Sequence, residues 1–504
     1  MKKSILKGTI IIVIMSLIAK FIGLFFRIPL TMLIGDYGIG LFSFPMKFFL
    51  PIVALITTGP SIAIAKLISE SDSIDNLEYE YKIKHTSFRY MFYLGCLVSF
   101  AMLFFGVILI QTLWPKETLY PFLALLPAPI FLSFTAVYKG YYQGKQNMYP
   151  IAFQQLADGI GRVGFGLLVA LLLLPLGIEF GAAGGTFGTT AGAIAGLLFY
   201  FIYNLKFDKK TDRFTISKVE RKVIFKKLYK IALPVSVSAI GATLITLIDT
   251  LFIKNRLLFI GYTEESMIKL NGILSNVDTL MSIPLVIGTA ISLNALPNIV
   301  AAKSKGITYT QTRMRSMMIL IMCVSLPSGV GLFIVGKDVF SLLFSQMSTD
   351  HYLIEILSIS VVFMMINFGF TSILQAMNHE KVPVRNMYIG LIIKLIFSFS
   401  LLSIPSINIH GAALSTLITY LIICLLNGLA SFKLHFKVDV KFMIVIPFIS
   451  TLIMGIIVYL LNSITTHYWM TLISIIIGAS IYAILMIVFK VVDIKHIPLL
   501  NKIK

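Results

Sequence analysis

The stretch YQGKQNMYPIAFQQLADGIGR (Tyr142–Arg162) has an altered second copy far along the chain, LQAMNHEKVPVRNMYIGLIIK (Leu374–Lys394). Each copy carries a glutamine, a polar turn, a proline opening the next apolar segment, and a basic residue inside that segment. Further on, GAAGGT (Gly181–Thr186) is matched by GAALST (Gly411–Thr416). The offsets stay between 230 and 233 residues and keep one order, which predicts two related halves. An even number of apolar crossings separates the copies, so both run the same way through a membrane, as a parallel repeat. Transporters built on such repeats place substrate between the halves and alternate access by rocking them.

The rest of the chain agrees with a membrane setting. Its 504 residues are 58% hydrophobic and 13% charged, with a mean hydropathy of +0.92. Soluble domains are nearer half apolar and a quarter charged. Apolar runs of about 20 residues, the length a spanning helix needs, recur from end to end. An all-α polytopic membrane protein with about 14 transmembrane helices is expected, at roughly 5–34, 40–66, 88–114, 119–143, 151–176, 181–205, 229–253, 272–300, 315–344, 351–377, 384–404, 410–432, 441–462 and 468–490. The opening MKKSILKGTIIIVIMSLI has the charged and apolar parts of a signal peptide but runs on into further apolar residues, so a retained first helix is expected. Cys96, Cys323 and Cys424 fall in apolar runs and show neither disulfide nor metal-ligand spacing.

The net charge of +20 sorts by loop. With the N-terminus in the cytoplasm, the basic residues outside the spans gather on that side, and only Lys116, Lys254, Arg256, Lys269 and Lys337 fall on the other. This asymmetry is the positive-inside rule, and it places both termini of a multi-pass protein in the bacterial cytoplasm. The charge thus serves topology and contact with anionic membrane lipids, not nucleic acid. Lys206–Lys230 is the only long basic polar stretch between spans. The expected organisation is an N-lobe of six spans (1–205), a cytoplasmic basic linker (206–228), a C-lobe of six spans (229–433), and two added spans with a cytoplasmic tail (434–504).

Five cations lie inside the apolar segments. Lys20 and Arg27, in AKFIGLFFRIPL, are seven residues apart and so share a helix face, about 10 Å apart along the axis. A charge at the bilayer centre costs roughly 2.5–3.5 kcal/mol on insertion scales, which marks such residues as partnered or functional. Lys47 is flanked by Pro45 and Pro51, where proline breaks the backbone ladder beside a cavity. Arg162 stands four residues after Asp158. Lys20, Arg27, Lys47 and Arg162 are expected to line a wet cationic cavity suited to a phosphate-bearing substrate, since arginine grips phosphate oxygens in a fork. Snorkelling to the interface is the rival for Lys20, Arg27 and Lys47, a structural pair with Asp158 the rival for Arg162, and Lys394 could simply echo the repeat. Asp249 and Asp278, the main acids of the second half's spans, are candidates for ion or proton coupling. Asp249 could equally pair with Lys254 or Arg256, and Asp278 could sit at the outer mouth.

The motifs of an enzyme are missing. No HExxH, GxSxG or P-loop spacing occurs, and the seven histidines are scattered. No pore-loop repeat suggests a channel. A transporter is the reading that remains, with no metal and no cofactor beyond a coupling Na+ or H+.

At LIAKFIGLFFRIPLTMLIGDYGIGLF, TGPSIAIAKLISES (Thr58–Ser71), YKGYYQGKQNMYPIAFQQLADGIGRV (Tyr138–Val163), LITLIDTLFI (Leu244–Ile253) and SIPLVIGTAISLNALPNI (Ser282–Ile299), the chain resembles the MurJ/SpoVB-type branch of the multidrug/oligosaccharidyl-lipid/polysaccharide exporter superfamily. The resemblance covers essentially the whole chain. It implies a V-shaped flippase of two six-helix lobes with two extra helices forming a lipid-facing groove. Members move lipid-linked cell-wall precursors, chiefly lipid II, to the outer leaflet, with cations of the first two helices holding the diphosphate. By motif, Arg27 matches the arginine after the first-helix glycine, here Gly23, with a one-residue difference in spacing. Lys20 matches the basic residue before that glycine, and Lys47 falls near a second-helix arginine position. The eighth-helix arginine of MurJ has no match; that segment carries Asp278 instead. The expected substrate is therefore an undecaprenyl-diphosphate-linked saccharide. Teichoic, capsule or O-unit precursors are alternatives, and a MATE-type drug or cation antiporter is a more distant one. The protein is expected to act as a monomer near cell-wall synthases, in growth or in sporulation.

Overall fold

The computed structural model describes residues 2–72, 76–207, 214–304, 306–344, 348–434, 436, 438–464, 468–489 and 491. All regular structure among them is helical. In chain order the helices are α1 (Lys2–Asp72), α2 (Leu77–Thr112), the short α3 (Leu119–Leu123), α4 (Ala128–Gly144), α5 (Tyr149–Leu173), α6 (Ile178–Phe207) and α7 (Lys218–Phe259). They continue with α8 (Glu264–Lys303), α9 (Ile307–Leu343), α10 (His351–Ala376), α11 (Lys381–Leu401), α12 (His410–Lys433), α13 (Ile446–Ile464) and α14 (Tyr468–Val488). Twelve spans among the described residues are long and apolar enough to cross a membrane, or 13 if the bent α7 counts as one. That tally takes α1 once, but α1 is two helices joined at Gly35, whose φ of 67° only glycine adopts without strain. Each arm exceeds the ~20 residues needed to span. The expected fourteen-helix membrane fold is what the chain adopts.

Helix ends follow local chemistry. The Asn76 side chain caps α2 through the Tyr79 amide, 2.8 Å away. Ser217 and Glu220 form a reciprocal capping box that starts α7. The Asp350 side chain accepts from the Leu353 amide and opens α10.

The duplicated turn has one backbone in both copies. Gln146 and Asn378, 232 residues apart, are both left-handed, with φ of 55° and 63°. After α4 the Asn147 amide reaches back to the Tyr142 carbonyl at 2.9 Å; after α10 the His379 amide reaches the Leu374 carbonyl at 2.8 Å. This is a six-to-one helix-ending bond around a left-handed residue, which satisfies carbonyls left over by the last turn. The following helices each carry the repeat's proline in their first turn, Pro150 in α5 and Pro383 in α11. Thr186 in α6 and Thr416 in α12 each return a hydroxyl to the carbonyl four residues back, Ala182 and Ala412.

By packing, the chain divides into two compact units, Met1–Ser275 and Asn276–Lys504. This division follows contacts alone and is separate from the lobes read from the repeat. In unit 1, α5 and α6 meet along glycines. A Cβ on Gly184 would lie 2.3 Å from the Ala170 amide nitrogen, and one on Gly188 would lie 2.7 Å from the Arg162 carbonyl. Small residues four apart let helices approach backbone to backbone, as membrane interfaces favour. The unit's core joins Ile64 and Ile68 of α1, Met91 of α2, Tyr138 of α4, Tyr200 of α6 and Leu228 of α7. α7 lies along the second arm of α1, with the Ser236 hydroxyl donating to the Leu55 carbonyl at 2.9 Å. In unit 2, α13 and α14 pack on α9 through Val335, Met454, Val458, Tyr482 and Met486.

Candidate functional site

The first arm of α1 carries Arg27, only 7% exposed. Its Nη2 donates to Ser275 Oγ of α8 at 2.6 Å, and its guanidinium carbon lies 4.9 Å from the Phe42 ring centroid. Ser275 reaches it because α8 begins by docking on α1 at two glycines. A Cβ on Gly40 would lie 2.0 Å from the Ile268 carbonyl, and one on Gly272 would lie 1.9 Å from the Asp36 carbonyl. The Asn271 amide group ties the crossing, donating to the Gly40 carbonyl at 3.1 Å and to Ser43 Oγ at 2.6 Å. The start of α8 therefore belongs to the shell around Arg27. Sequence reasoning missed Ser275, Asn271 and Phe42, because polar residues in spans are more often helix glue. The one available signal was the small residue at Gly272 beside Asn271.

Lys47 is also buried, at 9% exposure, on the second arm of α1 between Pro45 and Pro51. Arg27 and Lys47 are thus cations held inside the apolar body of unit 1, on either side of the break at Gly35. Lys20 lies on the first arm of α1, and its side chain is outside the described residues.

Arg162 differs. Its Nη2 sits 3.2 Å from Asp158 Oδ2 one turn back on α5, and the pair rests on the glycine face of α6. A Cβ on Gly192 would come within 2.5 Å of Asp158 Oδ1. The i,i+4 ion pair weighed from the sequence is present, and both side chains are partly exposed.

Lys394, at the matching place in α11, is fully buried. Its ammonium donates to the Ala412 carbonyl at 3.0 Å, Ser415 Oγ at 2.9 Å and Thr416 Oγ1 at 2.7 Å. An ammonium has three donors, so these bonds saturate it. Lys394 acts as a strut between α11 and α12. Of the two acids on the other helices, Asp249 is buried in α7 and Asp278 is half-buried in α8. Lys254, one of the two cations expected beside Asp249, binds elsewhere: its Nζ lies 3.0 Å from Glu264 and 2.7 Å from the Trp114 carbonyl.

Beyond the spans, charge pairs tie helix ends. Lys145 joins Glu80 at 2.6 Å and Asp72 at 3.0 Å. Burial would lower its pKa, but those two carboxylates outweigh that and raise it. His410 Nε2 lies 2.8 Å and 3.1 Å from the two Asp350 oxygens. Burial opposes ionisation of Asp350, yet the bond and charge of His410, with the Leu353 amide, hold its carboxyl below the usual range.

Residues 5–303 match the family described as "Polysaccharide biosynthesis protein". The chain is 25% identical to stage V sporulation protein B of Bacillus subtilis over 519 residues, covering all of this chain and 99% of that one. It is 23% identical to the lipid II flippase MurJ of the same organism, covering 90% of this chain and 88% of that one. Among solved structures, the inward closed conformation of lipid II flippase MurJ is similar at a TM-score of 0.69 and 17% identity, over 95% of this chain and 98% of that one. An inward-facing multidrug resistance MATE transporter is similar at a TM-score of 0.64 and 13% identity, over 83% of this chain and 97% of that one. With the duplicated turn, the many-span helical fold and a match over more than half its length, the chain belongs to the polysaccharide biosynthesis protein family.

Proposed function

We propose that this protein is a flippase, not an enzyme, and that it carries an undecaprenyl-diphosphate-linked saccharide, lipid II in the first instance, across the bacterial cytoplasmic membrane by alternating access. The observation that carries the reading is the pair of buried cations Arg27 and Lys47 within the apolar α1. Two buried cations on the two arms of one apolar helix give a positively charged interior, which the two negative phosphates of a diphosphate would complement while the polyprenyl tail stays in lipid. Arg27 would grip phosphate oxygens in a fork, and Lys47 would act as a point charge. Lys20 is assigned to the same diphosphate by its spacing from Arg27. Arg162, half-neutralised by Asp158, would touch the headgroup more weakly. Asp249 is the acid on which a coupling Na+ or H+ would act, with Asp278 second. The relatives' names support the cargo class: one is a lipid II flippase and one a sporulation protein. The loop charges support an orientation with both termini in the cytoplasm, and the protein would act as a monomer beside cell-wall synthases.

The test is Arg27→Glu, with translocation of lipid II measured in cells or proteoliposomes. Reversing the charge at the clamp should abolish transport while the protein remains in the membrane. Unchanged transport would overturn the assignment of Arg27 to the diphosphate.

A further inference from the structure

Unit 1 holds a second feature with no part in that reading. A groove of about 230 Å³ lies where α2 and the first turns of α7 meet the second arm of α1. Its walls are apolar, with Met91, Leu94, Leu228 and Leu233 among them. Tyr90 of α2 stacks on Phe225 of α7, ring centroids 4.2 Å apart, and Tyr229 packs beyond at 6.0 Å from Phe225. Both helices begin at the same end of the unit, as the 2.5 Å bond between Lys82 and Glu220 near their starts shows.

Two polar groups stand one helical turn from that aromatic stack, toward the end where both helices begin. On α2 it is Ser87, which lines the groove at 1% exposure and whose hydroxyl has no hydrogen-bond partner. On α7 it is Lys222, exposed, and on the same face as Phe225 and Tyr229 by its i+3 and i+7 spacing. Lys218 extends that face by one more turn. Along the groove the order is therefore polar, aromatic, aliphatic, with the cation Lys222 and the hydroxyl of Ser87 at one level and Lys218 a turn beyond. A glycerophospholipid read from its head likewise runs from a charged phosphate through glycerol and its ester carbonyls to the acyl chains. Aromatic rings favour the headgroup boundary, and lysines near it attract anionic lipid.

We propose that this groove binds one anionic glycerophospholipid. Its phosphate is held by Lys222 and Lys218, an ester carbonyl accepts from the Ser87 hydroxyl, and one acyl chain lies between Met91, Leu94, Leu228 and Leu233. The site is separate from Arg27 and Lys47 and does not depend on what cargo they carry.

The full chain, delipidated in detergent, is titrated with phosphatidylglycerol or phosphatidylcholine and followed by native mass spectrometry. One phosphatidylglycerol should bind more tightly than phosphatidylcholine. Lys222→Gln should weaken phosphatidylglycerol binding about five-fold, near the contribution of one lysine at a membrane surface, and weaken phosphatidylcholine less, because its choline cation already offsets the phosphate charge. Ala232→Trp, placed on the groove wall, should remove both. Because Lys222 is exposed, its variant tests the site even if the tryptophan variant does not fold. Equal binding of the two lipids, no effect of Lys222→Gln, or occupation by a polyprenyl lipid or a second copy of the chain would overturn the proposal.

Discussion

Arg27 and Ser275, 248 residues apart, are joined by a 2.6 Å hydrogen bond from guanidinium to hydroxyl in the interior of unit 1. A hydrogen bond to a charged group contributes about 1.5–3 kcal/mol, and more is lost when the charge stays buried without it. Ser275→Ala should therefore destabilise the protein by about 1–3 kcal/mol, read as a lower thermal midpoint in detergent. In Arg27→Met the same serine change should cost far less, and a double-mutant cycle measures the difference.

The crossing that delivers Ser275 is a second point of test. Gly272→Ala would place a methyl 1.9 Å from the Asp36 carbonyl, a backbone atom that cannot step aside. It should part α8 from α1, with a large loss of folded protein and of transport. Gly23→Ala, where nothing lies within 4 Å of the added carbon, should be tolerated and can gain a few tenths of a kcal/mol, up to about 1, in helix stability.

Lys394 should behave as a strut. Lys394→Met removes one donor each from the Ala412 carbonyl and the Ser415 and Thr416 hydroxyls, and should lower thermal stability by about 1–3 kcal/mol. Lys394→Arg should also fail, because a planar guanidinium does not fit three acceptors arranged for an ammonium. If Lys394 instead held cargo, arginine would preserve transport.

The repeated turn predicts an asymmetry. Left-handed backbone suits asparagine better than glutamine, and glycine best. Gln146→Gly should stabilise the protein by up to about 1 kcal/mol, and Asn378→Gly by less. Gln146→Val should destabilise it, since a β-branched residue is strained there. Thermal midpoints of the three variants order the effects.

Acid should loosen the start of α10 in unit 2. The folded pKa of Asp350 lies below its ordinary value, so its contribution to stability is fully present above the ordinary carboxylate range. It is lost as pH falls through the lowered folded value. Asp350→Asn keeps the cap on Leu353 but not the charge. Its stability should fall less than that of the wild type between neutral pH and about pH 3.

Local chemistry wrote the parts of this fold that a reader can find in the chain. The spans follow from apolar run length, and the repeated turn follows from a polar tetrad and a proline whose consequences are confined to one helix end. The Asp158–Arg162 pair is legible for the same reason, being one turn of a single helix. What could not be read depends on distant packing. Nothing near Arg27 announces Ser275, and only the meeting of Gly40 with Ile268 and of Gly272 with Asp36 brings them together. Lys394 looked like an echo of Arg162 because position was visible and environment was not. In the first half glycines line the α5–α6 crossing, whereas in the second Ser415 and Thr416 stand ready to solvate an ammonium.

The break at Gly35 also fixes what an experimenter can reach. α1 turns from its first arm into its second within one residue, without a linker between them. On that side of the membrane the first two crossings give a protease nothing to cut, an antibody nothing to grasp, and a fused reporter no place to sit that does not interrupt a helix. Topology mapping of this protein has to begin at the linkers after α2 and α7, and a tag placed near Gly35 would report on damage.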